Sequence, residues 1–139
     1  MKIWLVNSNS NEENGNPNGF LIMLRQNKVA TYYQRADDVR NIENGDLILL
    51  YHNNNRVIAV GFAVQNSKHD FVDIANIERW VDVNWIWKSK FNESLEPIDS
   101  IDRKDLKFTS VRRAVNNITE EIDTKSLLIE IGKRLSNFI

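Results

Sequence analysis

The chain has 139 residues, 42% of them apolar, which is enough for one real core and too little for two. A formal net charge of −1 excludes the strongly basic class that announces a polyanion partner by charge alone, although a basic face can sit inside a neutral total. There is no cysteine, so disulfide scaffolds, thiolate metal sites and cysteine nucleophiles are excluded. The apolar runs are shorter than a membrane span and no signal-peptide pattern precedes them. A single domain over residues 1–139, cytoplasmic and with no membrane partner, is expected.

In chain order, "KIWLV" (2–6) reads as a first strand. The polar tract "NSNSNEENGNPNG" after it reads as a surface loop. "FLIMLRQNK" (20–28) predicts a short buried helix, "VATYYQ" an extended or irregular segment, and "RADDVRNI" one or two helical turns ended by "ENGD". "DLILLYH" (46–52) and "RVIAVGFAV" (56–64) are continuous apolar runs, the pattern of strands buried on both faces. The few polar residues between them make a hairpin the simplest link. Gly61, with no side chain to pack, marks a bulge or sharp bend. "FVDIANI" reads as a short strand or an edge segment. "RWVDVNWIW" (79–87) alternates, which puts Val81, Val83, Trp85 and Trp87 on one face and Trp80, Asp82, Asn84 and Ile86 on the other. After a proline-containing stretch with one helical turn, Leu127, Leu128, Ile131, Leu135 and Phe138 fall at helical spacing, with Thr119 or Asp123 as cap. Strands and helices do not alternate regularly, so a doubly wound sheet is excluded. An α+β fold is expected: a small, curved, mixed β-barrel with short peripheral helices and a C-terminal helix.

Catalytic signatures are missing. With five glycines there is no phosphate-binding loop. His52 and His69 lack a metal-ligand spacing, and no Gly-x-Ser-x-Gly elbow occurs. Asp37-Asp38 reads as charge complementing a helix start. The expectation is a non-enzyme with neither cofactor nor metal.

Aromatic chemistry is what remains. Trp4, Tyr32, Tyr33, Tyr51, Trp80, Trp85 and Trp87 lie in or beside strands, where each either fills the core or lines a pocket. Flat faces in a pocket stack a planar base for about 1–3 kcal/mol, and Asn, Ser or His then contact the base edge. Arg35, Lys88, Arg112 and Arg113 stand out among the cations as candidate phosphate contacts; solvated surface charge is the ordinary alternative for each.

The order of motifs resembles the EVE domains, members of the PUA-like group that also holds the YTH readers of methyladenine. The resemblance rests on "IWLVNS" (3–8), "TYYQRA" (31–36), "GDLILLYHN" (45–53), "IAVGFAV" (58–64), "WVDVNW" (80–85) and "FTSVRRAVNNITEE" (108–121). It departs from the family where "SNSN" replaces a Ser-Glu-Pro, where a glycine and an Arg-Asn are missing from the second motif, and where Asn53 replaces a serine. The resemblance implies a PUA-like barrel without catalytic residues that flips a methylated base of double-stranded DNA into an aromatic pocket. That pocket would be formed by Asn7, Ser8, Tyr33, Tyr51 and His52, with Trp80 and Trp85. It also implies a module of the kind found alone, or fused to a GTP-hydrolysing motor and nuclease in modification-dependent restriction systems of the McrB type. An RNA-binding PUA-like module, a small nucleoside hydrolase on a related barrel and a protein-interaction domain are the competing readings.

Overall fold

The computed structural model describes residues 1–8, 19–32, 38–52, 56–72 and 77–136, with the side chains of 65–68, 71–72 and 77 left aside. Its elements are β1 (Ile3–Asn7), α1 (Gly19–Arg25), β2 (Lys28–Tyr32), β3 (Leu47–His52), β4 (Arg56–Val72), β5 (Ile77–Lys88), β6 (Ile101–Asp102), α2 (Arg103–Leu106), β7 (Val115–Asn117) and α3 (Thr124–Ser136). The strands form one sheet in the order β2-β5-β4-β3-β1-β7, with β6 paired to β4. The sheet is mixed. β1 runs parallel to β3, and the other pairings are antiparallel. It curls strongly into a half-barrel, so the molecule is a mixed α+β fold.

Both faces of the sheet are buried, which is why the central strands read as continuous apolar runs. On the first face Trp4, Val6, Ile48, Leu50, Ala63, Val81 and Val83 pack with Phe20, Met23 and Leu24 of α1. On the second, Ile3, Leu5, Leu47, Leu49, Tyr51 and Val60 pack with Leu106 of α2 and Leu127 and Ile131 of α3. Residues of β1 and β3 alternate strictly between these faces.

Strands β4 and β5 do not alternate strictly. In the β4–β5 ladder Val60 pairs with Trp87 and Gly61 with Trp85, so Ile86 is an extra residue. Such a bulge reverses the side-chain parity beyond it. Trp85 therefore packs against the first core and Trp87 lies in the second. The single face expected for Val81, Val83, Trp85 and Trp87 is corrected by this bulge. Gly61 stands at the same step, as its missing side chain suggested. A Cβ there would lie 2.5 Å from Asn84 O and 2.9 Å from Trp85 Cα, so only glycine lets β5 approach this closely.

Other boundaries move too. α1 ends at Arg25, and Asn27 takes a left-handed φ of 52°, which releases Lys28 into β2 rather than the helix. β4 extends to Val72 and takes in the start of "FVDIANI". The short β7 carries no strand pattern in the sequence. Asp123 caps α3, accepting from Ser126 N at 3.2 Å. The helix docks through a narrow stripe, Leu127 and Ile131, and leaves Leu128 72% exposed, so the full apolar stripe expected from spacing is not buried. Phe138 lies outside the described residues.

Candidate functional site

Two ladders bring residues distant in sequence to one end of the sheet. β1 and β3 run parallel in register, Val6 beside Leu50 and Asn7 beside Tyr51. The next residues, Ser8 and His52, are thus side by side. Ser8 Oγ donates to Tyr51 O at 2.9 Å and lies 3.2 Å from His52 Nδ1. A serine hydroxyl has one proton. With that proton given to Tyr51 O, the imidazole must supply the other, as Nδ1–H. The neutral ring of this tautomer has its acceptor at Nε2. Phe20 of α1 closes the back of the ring, 4.2 Å between centroids, and Phe91 stands 5.5 Å beyond Phe20. A polar pair is thus held against an aromatic wall. His52 is 9% exposed, a buried imidazole held by a specific partner.

Cations reach the same end. β7 runs antiparallel to β1, and Asn7 N donates to Ala114 O at 2.8 Å. Arg113 therefore lies one strand from Ser8. Lys88 pairs with Ala59, which pairs with Leu50, so Lys88 ends β5 at the level of the end of β3. Arg112, Arg113 and Lys88 are exposed.

The segment that carries the two arginines is pinned. Glu121 Oε1 accepts from Thr109 N, Thr109 Oγ1 and Ser110 N at 3.0–3.1 Å. The Ser110 hydroxyl and these bonds hold its carboxyl below the usual carboxylate range. The Asn116 side chain bonds both backbone groups of Arg113, accepting at 3.1 Å and donating at 2.8 Å. Nothing in the sequence pattern marks Asn116 or Glu121, because each acts on a backbone some residues away in the chain.

Not every expected site residue joins this end. Tyr51 is 6% exposed and its ring belongs to the second core, so it does not share a rim with His52. Asn7 has the same parity as Tyr51, which turns it away from Ser8. Trp85 packs partly against the first core and its buried indole N–H has no hydrogen-bond partner among the described residues. Trp80 lies farther along β5. Its ring stacks on His69 at 5.3 Å, and Lys28 Nζ stands 4.7 Å from its centroid. Lys28 is only 7% exposed and its ammonium is 2.8 Å from Glu78, and His69 Nε2 is 2.7 Å from Asp82. Burial and the neighbouring Glu78 carboxylate raise the Tyr32 phenol well above its ordinary pKa. These residues form one cluster across β2, β4 and β5. Tyr33, Arg35 and Asn53 lie outside the described residues.

Among the described residues there is no group of three or more His, Cys, Asp or Glu placed to hold a metal ion, and no helix long and apolar enough to cross a membrane.

Comparison with known proteins places the architecture and nothing finer. The chain is similar to the NMR structure of Rpa0253 from Rhodopseudomonas palustris, a structural genomics target, with a TM-score of 0.53 and 13% identity over 98% of this chain and 94% of that one. The likeness is one of fold. No family model matches the chain, and no curated protein does.

Proposed function

We propose that this protein is a PUA-like, EVE-type reader of a methylated base in DNA, and that the base is received at the sheet end where Ser8 and His52 meet. The observation that carries the reading is the convergence there of a hydrogen-bonded Ser8–His52 pair, an aromatic wall of Phe20 and Phe91, and the cations Arg112, Arg113 and Lys88. A flipped base needs a polar edge contact, which an imidazole held in place by Phe20 can give, and its phosphates need cations within a nucleotide's reach. Adjacent strands lie about 4.8 Å apart, so two strand spacings separate the backbone beside Arg113 from that of His52, a span on the scale of one nucleotide. The curled mixed sheet with β1 parallel to β3 supports the PUA-like assignment. The pocket differs from the one the sequence resemblance implies: Ser8 and His52 stay, and Tyr51 serves the core. In a modification-dependent restriction system such a module would supply the specificity.

The test is a binding titration against matched duplexes with unmodified cytosine and adenine, methylcytosine or methyladenine, and against single-stranded RNA, at one stated salt concentration. Preference for one modified duplex supports the reading, and His52→Ala should reduce that preference more than it reduces binding to unmodified DNA. Tighter binding to the RNA than to any duplex would move the assignment to an RNA-binding module.

A further inference from the structure

A cleft of about 740 Å³ runs along the β7 edge of the sheet, within the span of about 300–1,000 Å³ typical of small-ligand sites. It is lined by Trp4 and Val115, by Arg112 and Arg113, and by Asp38 and Asn41 from the single turn at 38–41. Arg112, Arg113 and Asp38 make no ion pair or hydrogen bond through their side chains among the described residues. The lining therefore carries both signs of charge, neither committed among the described residues, beside part of an indole. A purely anionic ligand would satisfy the arginines and be repelled by Asp38. A purely cationic one would meet the reverse. The chemistry that satisfies both charges is a phosphate joined to a group bearing N–H donors.

We propose that this cleft binds a nucleotide whose base carries an exocyclic amino group. Arg112 and Arg113 take the phosphate by charge-assisted hydrogen bonds, and Asp38 accepts from the amino group, as acidic side chains do from cytosine N4. Asn41 offers a second edge contact. Thymine puts a carbonyl oxygen where cytosine has its amino group, and a carboxylate cannot bond to it. Within the reading above, on which this placement rests, the ligand is the neighbour of the base held at Ser8 and His52. The cleft then selects the sequence context of the modified base.

The experiment uses mononucleotides, so that it is independent of which modification is read. The protein is titrated with deoxycytidine 5′-monophosphate, thymidine 5′-monophosphate and the phosphate-free nucleoside deoxycytidine. Binding is followed through the indole N–H resonance of Trp4. The cytidine nucleotide should bind about threefold to tenfold more tightly than the thymidine nucleotide, the worth of one net hydrogen bond, and at least about tenfold more tightly than the nucleoside. Asp38→Asn should erase the first difference, and Arg112→Ala with Arg113→Ala the second; Asp38 is half-buried, the arginines are exposed, and none of the three belongs to either core. Equal affinity for the three ligands, an unmoved Trp4 resonance, or a cytosine preference that survives Asp38→Asn would overturn the proposal. His52→Ala should leave these titrations unchanged. A protein that shows the nucleotide pattern without preferring any modified duplex retains this site and loses the reader function.

Discussion

Tyr51 and His52 are adjacent in β3 and point to opposite sides of the sheet: His52 rests on Phe20 beside α1, and Tyr51 is sealed in the core beneath α2 and α3. The division follows from the two-residue period of a strand. It separates two kinds of consequence that a mutation in this dipeptide can have.

Tyr51→Ala should act on stability. Truncating a buried aromatic costs about 3–5 kcal/mol, and urea unfolding should show a loss of that order. Tyr51→Phe keeps the ring and should bind modified and unmodified DNA in the wild-type ratio. A Tyr51→Phe protein that folds normally but has lost its discrimination would return Tyr51 to the recognition site.

Two glycines should respond in opposite directions. Alanine at Gly61 meets Asn84 O at 2.5 Å, Val83 Cγ1 at 2.8 Å and Trp85 Cα at 2.9 Å. Two of those atoms are backbone and cannot yield cheaply, so Gly61→Ala should destabilise by about 1–3 kcal/mol. At Gly132, within α3, a Cβ meets nothing within 4 Å among the described residues outside the helix's own backbone. There Gly132→Ala should stabilise by about 0.5–1 kcal/mol through helix propensity and unfolded-chain entropy. Paired denaturant titrations check both signs.

The central hairpin, the glycine at the bulge, the first strand and the Asp123-capped last helix were legible because each is written in local periodicity or punctuation. What was hidden is non-local. Nothing near Trp87 in sequence says that Ile86 is an extra residue, because a bulge is defined only against the partner strand, and that one residue sends Trp85 and Trp87 to different cores. The same reason hid Tyr51's direction. Alternation gives parity along β3, but both faces are buried, and only the packing of α2 and α3 shows that Tyr51's parity belongs to the second core. Ser8 and His52 could be named from the motifs. Their contact depends on the parallel register of β1 and β3, which no spacing encodes. The cleft lining comes from segments about seventy residues apart, and neither segment alone has a signature.

Arg134 ties α3 to the segment before β6. Its Nε donates to Asp99 O at 2.6 Å and its Nη2 to Ser100 O at 2.9 Å, while Nη1 reaches Glu130 Oε2 at 2.7 Å. The guanidinium also lies 5.4 Å from the Trp87 ring centroid. A planar fork serves these partners together and an ammonium cannot. Arg134→Lys, which keeps the charge, should therefore cost about 1–3 kcal/mol and speed amide exchange in the last turns of α3. Wild-type exchange rates in the lysine variant would show that charge alone holds the helix.

Asp46 makes stability depend on acid pH. The side chain is 4% exposed and accepts from Lys2 N at 2.9 Å, Glu43 N at 2.9 Å and Trp4 Nε1 at 2.8 Å. Burial acts to raise its pKa, but the bonds from Lys2, Glu43 and Trp4, with the N-terminal ammonium, outweigh it and hold the carboxyl below its ordinary value of 3.8. Because the folded-state pKa is the lower one, the unfolded chain takes up the proton first as pH falls. The contribution is complete above the ordinary carboxylate range and is lost as pH drops through the folded-state value. Asp46→Ala removes the acceptor of a buried indole N–H and should cost about 1–3 kcal/mol at neutral pH. The difference between wild type and variant, followed by urea unfolding from pH 7 downward, should hold constant until the pH nears 4 and then narrow. A difference that stays the same to pH 2 would show that the ionised carboxylate is not what stabilises this corner, and that Asp46 acts there only by its shape.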